Sequence, residues 1–283
     1  MSLLQLAIIA LLQGTTEWLP VSSSGHVLLA AGFFEASPRD ELLINAVSNL
    51  GTLLAMLIYF RKDVASAIAG GAELAAAPVR KAPLSNGARL AAAVIVATPV
   101  ALLVAISYEM FLPEDMLNGV RNIYVVAATT ILFGALLWWA DVKGERTRTE
   151  ADMTLWHAFL IGATQAIAAI LPGTSRSGIT MTAARALGYD RTEAARFSML
   201  IGAPILAAAG IYGLLGLMAA ESSESALTLQ DGLVVAGISF VTGLASIWFL
   251  MALLRRMSFL PFVIYRFALG ATLLLGSPAI GLF

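Results

Sequence analysis

The sequence predicts an all-α polytopic membrane protein: an inverted repeat with two re-entrant helical hairpins and about six full transmembrane helices. Three observations predict it. The 283-residue chain is 59% hydrophobic and only 12% charged, whereas soluble domains carry roughly 25% charge. Six stretches approach the roughly 20 apolar residues that a membrane span needs. Two further apolar regions, similar to each other, are interrupted by Pro, Ser, Gly and ionisable residues.

The composition also excludes functions. A net charge of −1 offers no basic face for nucleic acid. Without cysteine there are no disulfides, thiolate zinc sites or cysteine nucleophiles. Two histidines, His26 and His157, cannot build a multi-histidine metal cage.

Met1-Ser2 leads straight into apolar residues with no basic leader segment, and Glu17 and His26 soon follow; the first thirty residues read as mature structure. Residues 3–34 are broken by Glu17, Pro20, Ser22, Ser23, Ser24, Gly25 and His26. The expected spans are 42–60, 89–108, 122–140, 196–219, 233–254 and 261–282, with interfacial aromatics such as Tyr59, Phe60, Trp138, Trp139 and Trp248. Between the first two spans, 65–77 reads as an amphipathic cytoplasmic helix, loosely held before Pro78 and Pro83. The small residues of 203–213 suit close helix packing. Residues 157–187 are broken by Pro172, Gly173, Thr174, Ser175, Arg176, Ser177 and Gly178. The arms of both broken regions are too short to cross a bilayer about 30 Å thick. Irregular backbone at that depth is tolerated only inside protein or along a wet cavity.

The broken regions align. Gln13-Gly-Thr-Thr-Glu-Trp-Leu-Pro20 matches Gln165-Ala-Ile-Ala-Ala-Ile-Leu-Pro172 in its glutamine and its Leu-Pro, and a Ser/Thr-rich turn ending in Ser-Gly follows each. Three spans follow each hairpin, so one membrane domain, 1–283, reads as two repeats, about 1–145 and 150–283. Lys and Arg place the 61–89, 141–152 and 255–256 connections in the cytoplasm, together with Arg185, Arg191 and Arg196; the loops at 35–41, 109–121 and 221–231 face outward. The repeats are then antiparallel, with the breaks meeting near the midplane. Transporters use the same design, so a transporter or flippase for a phosphorylated lipid and an enzyme both remain open.

Chemistry narrows the choice. Each break presents a new helix N-terminus, with free N–H groups and the positive end of the helix dipole, to an anion. Arg176 adds a guanidinium fork that matches phosphate oxygens. Glu17 and His26 supply an acid–base pair, or a carboxylate for a cation. Blander readings compete: a Ser/Gly/Pro packing kink, an interfacial arginine, a glutamate or histidine satisfied structurally. Gln13 and Gln165 can simply bridge the hairpins, and His157 reads as an interface residue. The conjunction favours function, because ionisable groups inside a membrane are expensive to keep.

These residues resemble a known family. Gln13-xxx-Glu17 followed by Leu-Pro-Val-Ser-Ser-Ser-Gly-His26 is similar to the first motif of the undecaprenyl-diphosphate phosphatases, also called bacitracin-resistance proteins. Leu171-Pro-Gly-Thr-Ser-Arg-Ser-Gly-Ile-Thr180 resembles the second. Asp152-Met-Thr154 and Ser258-Phe-Leu-Pro-Phe-Val-Ile-Tyr-Arg-Phe267 are also similar to family patterns, so the likeness spans essentially the whole chain. The resemblance implies hydrolysis of undecaprenyl diphosphate to the monophosphate and inorganic phosphate, recycling the cell-wall lipid carrier. It also implies a divalent cation, Mg²⁺ or Ca²⁺, and an inner-membrane location with the active site open to the periplasm. Family patterns allow Glu or Gln where this chain has Gln13, which leaves Glu17 as the carboxylate for a metal or for general-base work, with Gln13 beside it. The lipid substrate and membrane lipid are the expected partners; oligomeric state, a homodimer included, is left open.

Within that frame Arg176 clamps the diphosphate. The phosphate-binding set is Ser22, Ser24, Gly173, Thr174, Ser175, Ser177, Gly178 and Thr180. For the nucleophile the preferred scheme is Ser23 activated by His26; attack by His26 itself and by a Glu17-activated water follow in that order.

Overall fold

The computed structural model describes residues 2–34, 38–76, 83–111, 122–220 and 228–280. These are helical apart from short turns, with a lone β-bridge between Arg148 and Tyr189. In chain order the helices are α1 (Leu3–Thr16), α2 (Ser23–Phe33), α3 (Pro38–Tyr59), α4 (Arg61–Ala76), α5 (Asn86–Ala97), α6 (Pro99–Phe111) and α7 (Ile123–Lys143). After a single 3₁₀ turn (Glu150–Asp152) come α8 (Leu155–Ala163), α9 (Gln165–Ile170), α10 (Arg176–Ala186), α11 (Arg191–Ala220), α12 (Leu229–Leu254) and α13 (Leu260–Ile280).

Four helices among the described residues are long and apolar enough to cross a membrane: Asn86–Tyr108, Ile123–Lys143, Arg191–Tyr212 and Gln230–Leu254. The expected spans 42–60 and 261–282 fall on α3 and α13, whose apolar portions Ile44–Tyr59 and Leu260–Leu275 are shorter. Trp138, Trp139 and Trp248 are all at least half exposed, an arrangement that water would penalise and lipid rewards. The expected straight span 89–108 is instead two helices joined at Thr98. Pro99 has no N–H to donate into the preceding turn, and Thr98 turns its hydroxyl back onto the Val94 carbonyl at 2.7 Å.

Local chemistry sets the helix starts. Ser2 and Gln5 cap α1 reciprocally, and Thr228 and Asp231 do the same for α12. Asn122 accepts from the Val125 N–H at the start of α7. Asp190 accepts from both the N–H and the hydroxyl of Thr192 at the start of α11. Burial opposes ionisation of Asp190, but these Thr192 bonds outweigh it and hold the carboxyl below its ordinary range. In the same turn, burial pushes the Tyr189 hydroxyl up to about 12.

Packing follows membrane rules, where lipid removes the hydrophobic drive between helices and close fit replaces it. α3 packs against α11 and α12, α1 lies along α12, α13 lies along α7, and α10 is held by α7 and α11. Gly14 lets α1 touch α12: a Cβ there would sit 2.8 Å from the Ser239 carbonyl oxygen. The largest core cluster joins Trp18, Met56, Leu137, Met181, Phe197 and Phe259, so the two broken regions share one interior. α4 is not loosely held; Gly70 is buried against the backbone of Gly87 and Ala88 at the start of α5.

Charged side chains of the 61–89 and 141–152 connections meet Arg185, Arg191 and Arg196. The fully buried Arg185 donates to Asp141 at 3.0 Å and to the carbonyls of Gly144 at 3.0 Å and Glu145 at 2.8 Å, and also to Tyr189 O. Arg191 meets Asp141 with two bonds of 2.7 and 2.9 Å, and the Phe259 N–H adds a third donor at 3.2 Å. Arg196 binds Asp63, Glu150 and Glu193. Of the loops expected on the other side, 35–37, 112–121 and 221–227 lie outside the described residues, as does Pro78.

Candidate active site

α1 ends at Thr16, where the Glu17 N–H closes the last turn onto Gln13 O at 2.9 Å. The chain then turns through 17–21 to Ser22, and α2 begins at Ser23. In the second broken region α9 ends at Ile170, and Leu171 is extended ahead of Pro172, as a residue preceding proline prefers. Gly173 takes a φ of 85°, and a Cβ there would lie 2.5 Å from Val126 O in α7. Ser175 then caps α10, accepting from the Gly178 N–H at 3.1 Å.

The two breaks share a strained residue. Ser22 (φ 73°) and Ser175 (φ 69°) are the non-glycine residues with positive φ among those described, and each immediately precedes the outgoing helix. Such a conformation costs about 1–3 kcal/mol and persists where its surroundings over-determine it. Those surroundings are visible. Ser177 donates across the joint to Leu19 O at 3.0 Å. Thr129 and Thr130 of α7 donate to Pro172 O at 2.5 Å and Gly173 O at 3.3 Å. Arg266 of α13, fully buried, lies beneath both breaks. It donates to Pro20 O (3.2 Å) in the first and to Gly173 O (3.0 Å) and Thr174 O (3.1 Å) in the second. It also reaches Thr130 O (2.9 Å) and Thr129 O (3.5 Å). One guanidinium thus serves carbonyls of both breaks, which helix geometry leaves unpaired, and ties them to α7 through two of its carbonyls.

The residues that begin the outgoing helices, Ser23 and Arg176, both bind Glu17. Arg176 Nη2 donates to Oε1 at 2.9 Å, and Ser23 Oγ donates to Oε2 at 2.6 Å. Gln13 Nε2 donates to Oε2 and to Asn49 Oδ1, both at 2.9 Å. The Arg176 guanidinium lies 5.2 Å from the ring centre of the buried Trp18, a cation–π contact that fixes it from below. These groups open into a cavity of about 340 Å³, also lined by Asn45, Tyr108, Gln165 and Ser175 and by apolar residues of α6, α9 and α11.

Buried polar atoms are normally paired, so exceptions carry information. Among the described residues the unpartnered side-chain atoms are Gln13 Oε1, Tyr108 OH, Gln165 Oε1, Thr174 Oγ1 and Arg176 Nη1. Four of these five belong to residues lining this cavity. No group of three or more His, Cys, Asp or Glu that could hold a metal ion occurs among the described residues.

The expected site residues therefore divide. Glu17, Ser23, Arg176, Gln13 and Ser175 line the cavity. Ser177 is turned into the joint, and Thr180 is tied to Arg176 O (3.0 Å) and to the Ser198 hydroxyl (2.5 Å). Gly173, Thr174 and Gly178 shape the second turn through their backbone, and Ser22 accepts from the Gly25 N–H at 3.4 Å. The side chain of Ser24 lies outside the described residues. His26 is held elsewhere than on Ser23: Nδ1 is 2.7 Å from Ser22 O and Nε2 is 2.5 Å from the Tyr265 hydroxyl, with the two rings stacked. Nδ1 must carry the proton to meet a carbonyl, which leaves Nε2 as the acceptor for the tyrosine. His157 pairs with Tyr189 OH at 2.8 Å, away from the cavity.

Sequence reasoning passed over Asn45, Asn49 and Tyr108, and quoted Arg266 within a family-like pattern without giving it a role. Signals existed: amides four apart share one face of an apolar helix, and an arginine inside a membrane segment marks a functional region by default.

A family model described as bacitracin resistance protein BacA matches residues 6–272. The undecaprenyl-diphosphatase of Hyphomonas neptunium is 65% identical over 280 residues, covering 99% of this chain and 98% of that protein. Those of Maricaulis maris and Ruegeria pomeroyi are 44% and 43% identical, each covering 97% of this chain and 98% of their own. A match over nearly the full length, with both motifs joined at one carboxylate, places the chain in the bacitracin resistance protein BacA family.

Proposed function

We propose that this chain is a membrane phosphohydrolase that converts undecaprenyl diphosphate to undecaprenyl phosphate and inorganic phosphate, recycling the lipid carrier of cell-wall synthesis. The observation that carries the reading is the Glu17 carboxylate, bound by Ser23 at 2.6 Å and by Arg176 at 2.9 Å from the opposite repeat. Around it lie an unpartnered guanidinium nitrogen and the N-terminus of α10, both suited to phosphate oxygens.

The chain reads as one domain of two inverted repeats, about 1–145 and 150–283, with α1–α2 and α8–α10 as re-entrant hairpins. Their lengths support this: the 14 residues of α1 extend about 21 Å, short of a core about 30 Å thick. So does the packing of repeat-mates: α3 on α11, α7 on α13, and α1 on α12 as α8 and α9 lie on α5 and α6. The enzyme resides in the bacterial inner membrane with its cavity open to the periplasm, where the acidic or weakly basic loops are expected.

Bound phosphate takes over Arg176, and the freed carboxylate of Glu17 accepts the Ser23 proton. Ser23 Oγ attacks the terminal phosphorus; the P–O bond of the anhydride breaks and the lipid monophosphate leaves. Water then hydrolyses the phosphoserine, releasing inorganic phosphate. Glu17 thus replaces His26 as the base for Ser23, because the carboxylate rather than the imidazole touches the hydroxyl. His26 becomes a positioning residue that ties Ser22 to α13. A divalent cation fits the donors: hard oxygens from Glu17 and Gln13, one of them unpartnered, with the remaining ligands left to substrate. When bound, it would neutralise phosphate charge.

Two measurements test this. Purified protein in detergent micelles with Mg²⁺ should release phosphate; lipid movement across vesicles without phosphate release would make it a transporter instead. Acid quenching with substrate labelled in the terminal phosphate should trap an adduct that Ser23→Ala abolishes. Wild-type turnover with no adduct would transfer the attack to a Glu17-activated water.

A further inference from the structure

We infer that Gln165, the repeat-mate of Gln13, gives a second amide oxygen to the divalent cation, so that each broken helix region contributes one neutral ligand and the first alone contributes a carboxylate. The inference rests on the cation-dependent reading above and extends it to a residue outside the second break. Gln165 is 2% exposed and lines the cavity. Its amide nitrogen makes a 3.4 Å bond to Gly162 O within its own helical region, and Oε1 has no partner. Gln13 shows the same pattern, and there the orientation is forced. Its nitrogen faces two oxygens, Glu17 Oε2 and Asn49 Oδ1, so the unpartnered atom has to be the carbonyl oxygen.

Unpartnered acceptors on two residues that line one cavity cannot satisfy a phosphate, whose oxygens are acceptors too. A cation placed between amide oxygens and phosphate oxygens satisfies both, and Mg²⁺ and Ca²⁺ accept such mixed oxygen shells. A glutamine kept only to tie the hairpins together would use its oxygen across the joint. Gln165 does not. An unmatched buried acceptor lowers stability, so retaining one is a loss that a ligand restores.

The experiment titrates Mn²⁺ into the full-length protein in detergent, with a non-hydrolysable farnesyl methylenediphosphonate present, and follows free Mn²⁺ by electron paramagnetic resonance. Gln165→Met should weaken binding about ten-fold while raising the melting temperature of the cation-free protein, because the unmatched acceptor is gone. Gln165→Glu should tighten binding. Equal Mn²⁺ affinity in wild type and Q165M would overturn the inference and leave the phosphatase reading standing. A cation-free Q165M that melts below wild type would reveal a structural tie and overturn it as well. Failure of the wild type to bind Mn²⁺ with the analogue present would remove the cation reading and this inference together.

Discussion

Two buried ion-pair clusters, Asp141 with Arg185 and Arg191, and Glu17 with Arg176, are built from the same residue types and end up opposite in character. Asp141 receives two bonds from Arg191, one from Arg185 and one from the Phe259 N–H, and none of its atoms or those of Arg185 is left unpartnered. Around Glu17, Arg176 keeps a free nitrogen, and Gln13 and Gln165 each keep a free oxygen. The first cluster is complete without a ligand; the second is not. Saturation of hydrogen bonds, more than charge or burial, separates a charge group that fastens helices from one that awaits substrate.

Substitutions should make that distinction visible. Arg176→Ala should lower kcat/KM by about 10³-fold or more, the scale at which an arginine stabilises phosphoryl transfer, with a smaller fall in melting temperature than Asp141→Ala, because Ser23 and Gln13 still donate to Glu17. Asp141→Ala should do the reverse. It strands a fully buried guanidinium and should cost about 3–5 kcal/mol of stability, read as a fall in the detergent melting temperature, while surviving folded protein keeps its KM. Should Asp141→Ala abolish turnover at unchanged stability, the contrast drawn here collapses.

Arg266 stands between the two classes, saturated by carbonyls yet holding the breaks that shape the site. Arg266→Lys should lower both melting temperature and kcat, since an ammonium has three donors where five carbonyls are waiting. Tyr265→Phe removes the hydroxyl that binds His26. One lost hydrogen bond is worth about 1 kcal/mol, so kcat should fall several-fold with KM nearly constant if His26 positions the first break. The smallest effect concerns pH. The folded-state carboxyl of Asp190 lies below its unfolded value, so its contribution is present above the ordinary carboxylate range and lost as pH falls through the depressed value. The melting difference between wild type and Asp190→Ala, about 1 kcal/mol for a helix cap, should hold at neutral pH and shrink in strong acid.

Much of the site was legible in the motifs because the breaks are local chemistry. Pro20 and Pro172 forbid a continued helix, the following serines can cap a new one, and Glu17 and Arg176 are too costly in an apolar region to be incidental. The alignment of the two broken regions also matched their Leu-Pro steps and the Ser-Gly ends of their turns. What it missed were partners chosen by packing. His26 lies three residues after Ser23 and invited a Ser–His pair, but the tertiary arrangement brings Tyr265, 239 positions away, to its ring. Ser177 reads as a phosphate ligand, yet it faces Leu19 of the first break. Hydroxyl direction depends on what is packed opposite, and one strand of sequence does not hold that information.

The sequence by itself determined an apolar helical protein, the places where its helices break, and the ionisable residues at those breaks, because backbone stereochemistry and the cost of charge in lipid act locally. Tertiary structure alone decided that the two breaks share the Glu17 carboxylate, that Arg266 underpins both, and which polar atoms remain without partners. Those outcomes depend on helices far apart in the chain fitting against one another, and that fit is a property of the packed whole.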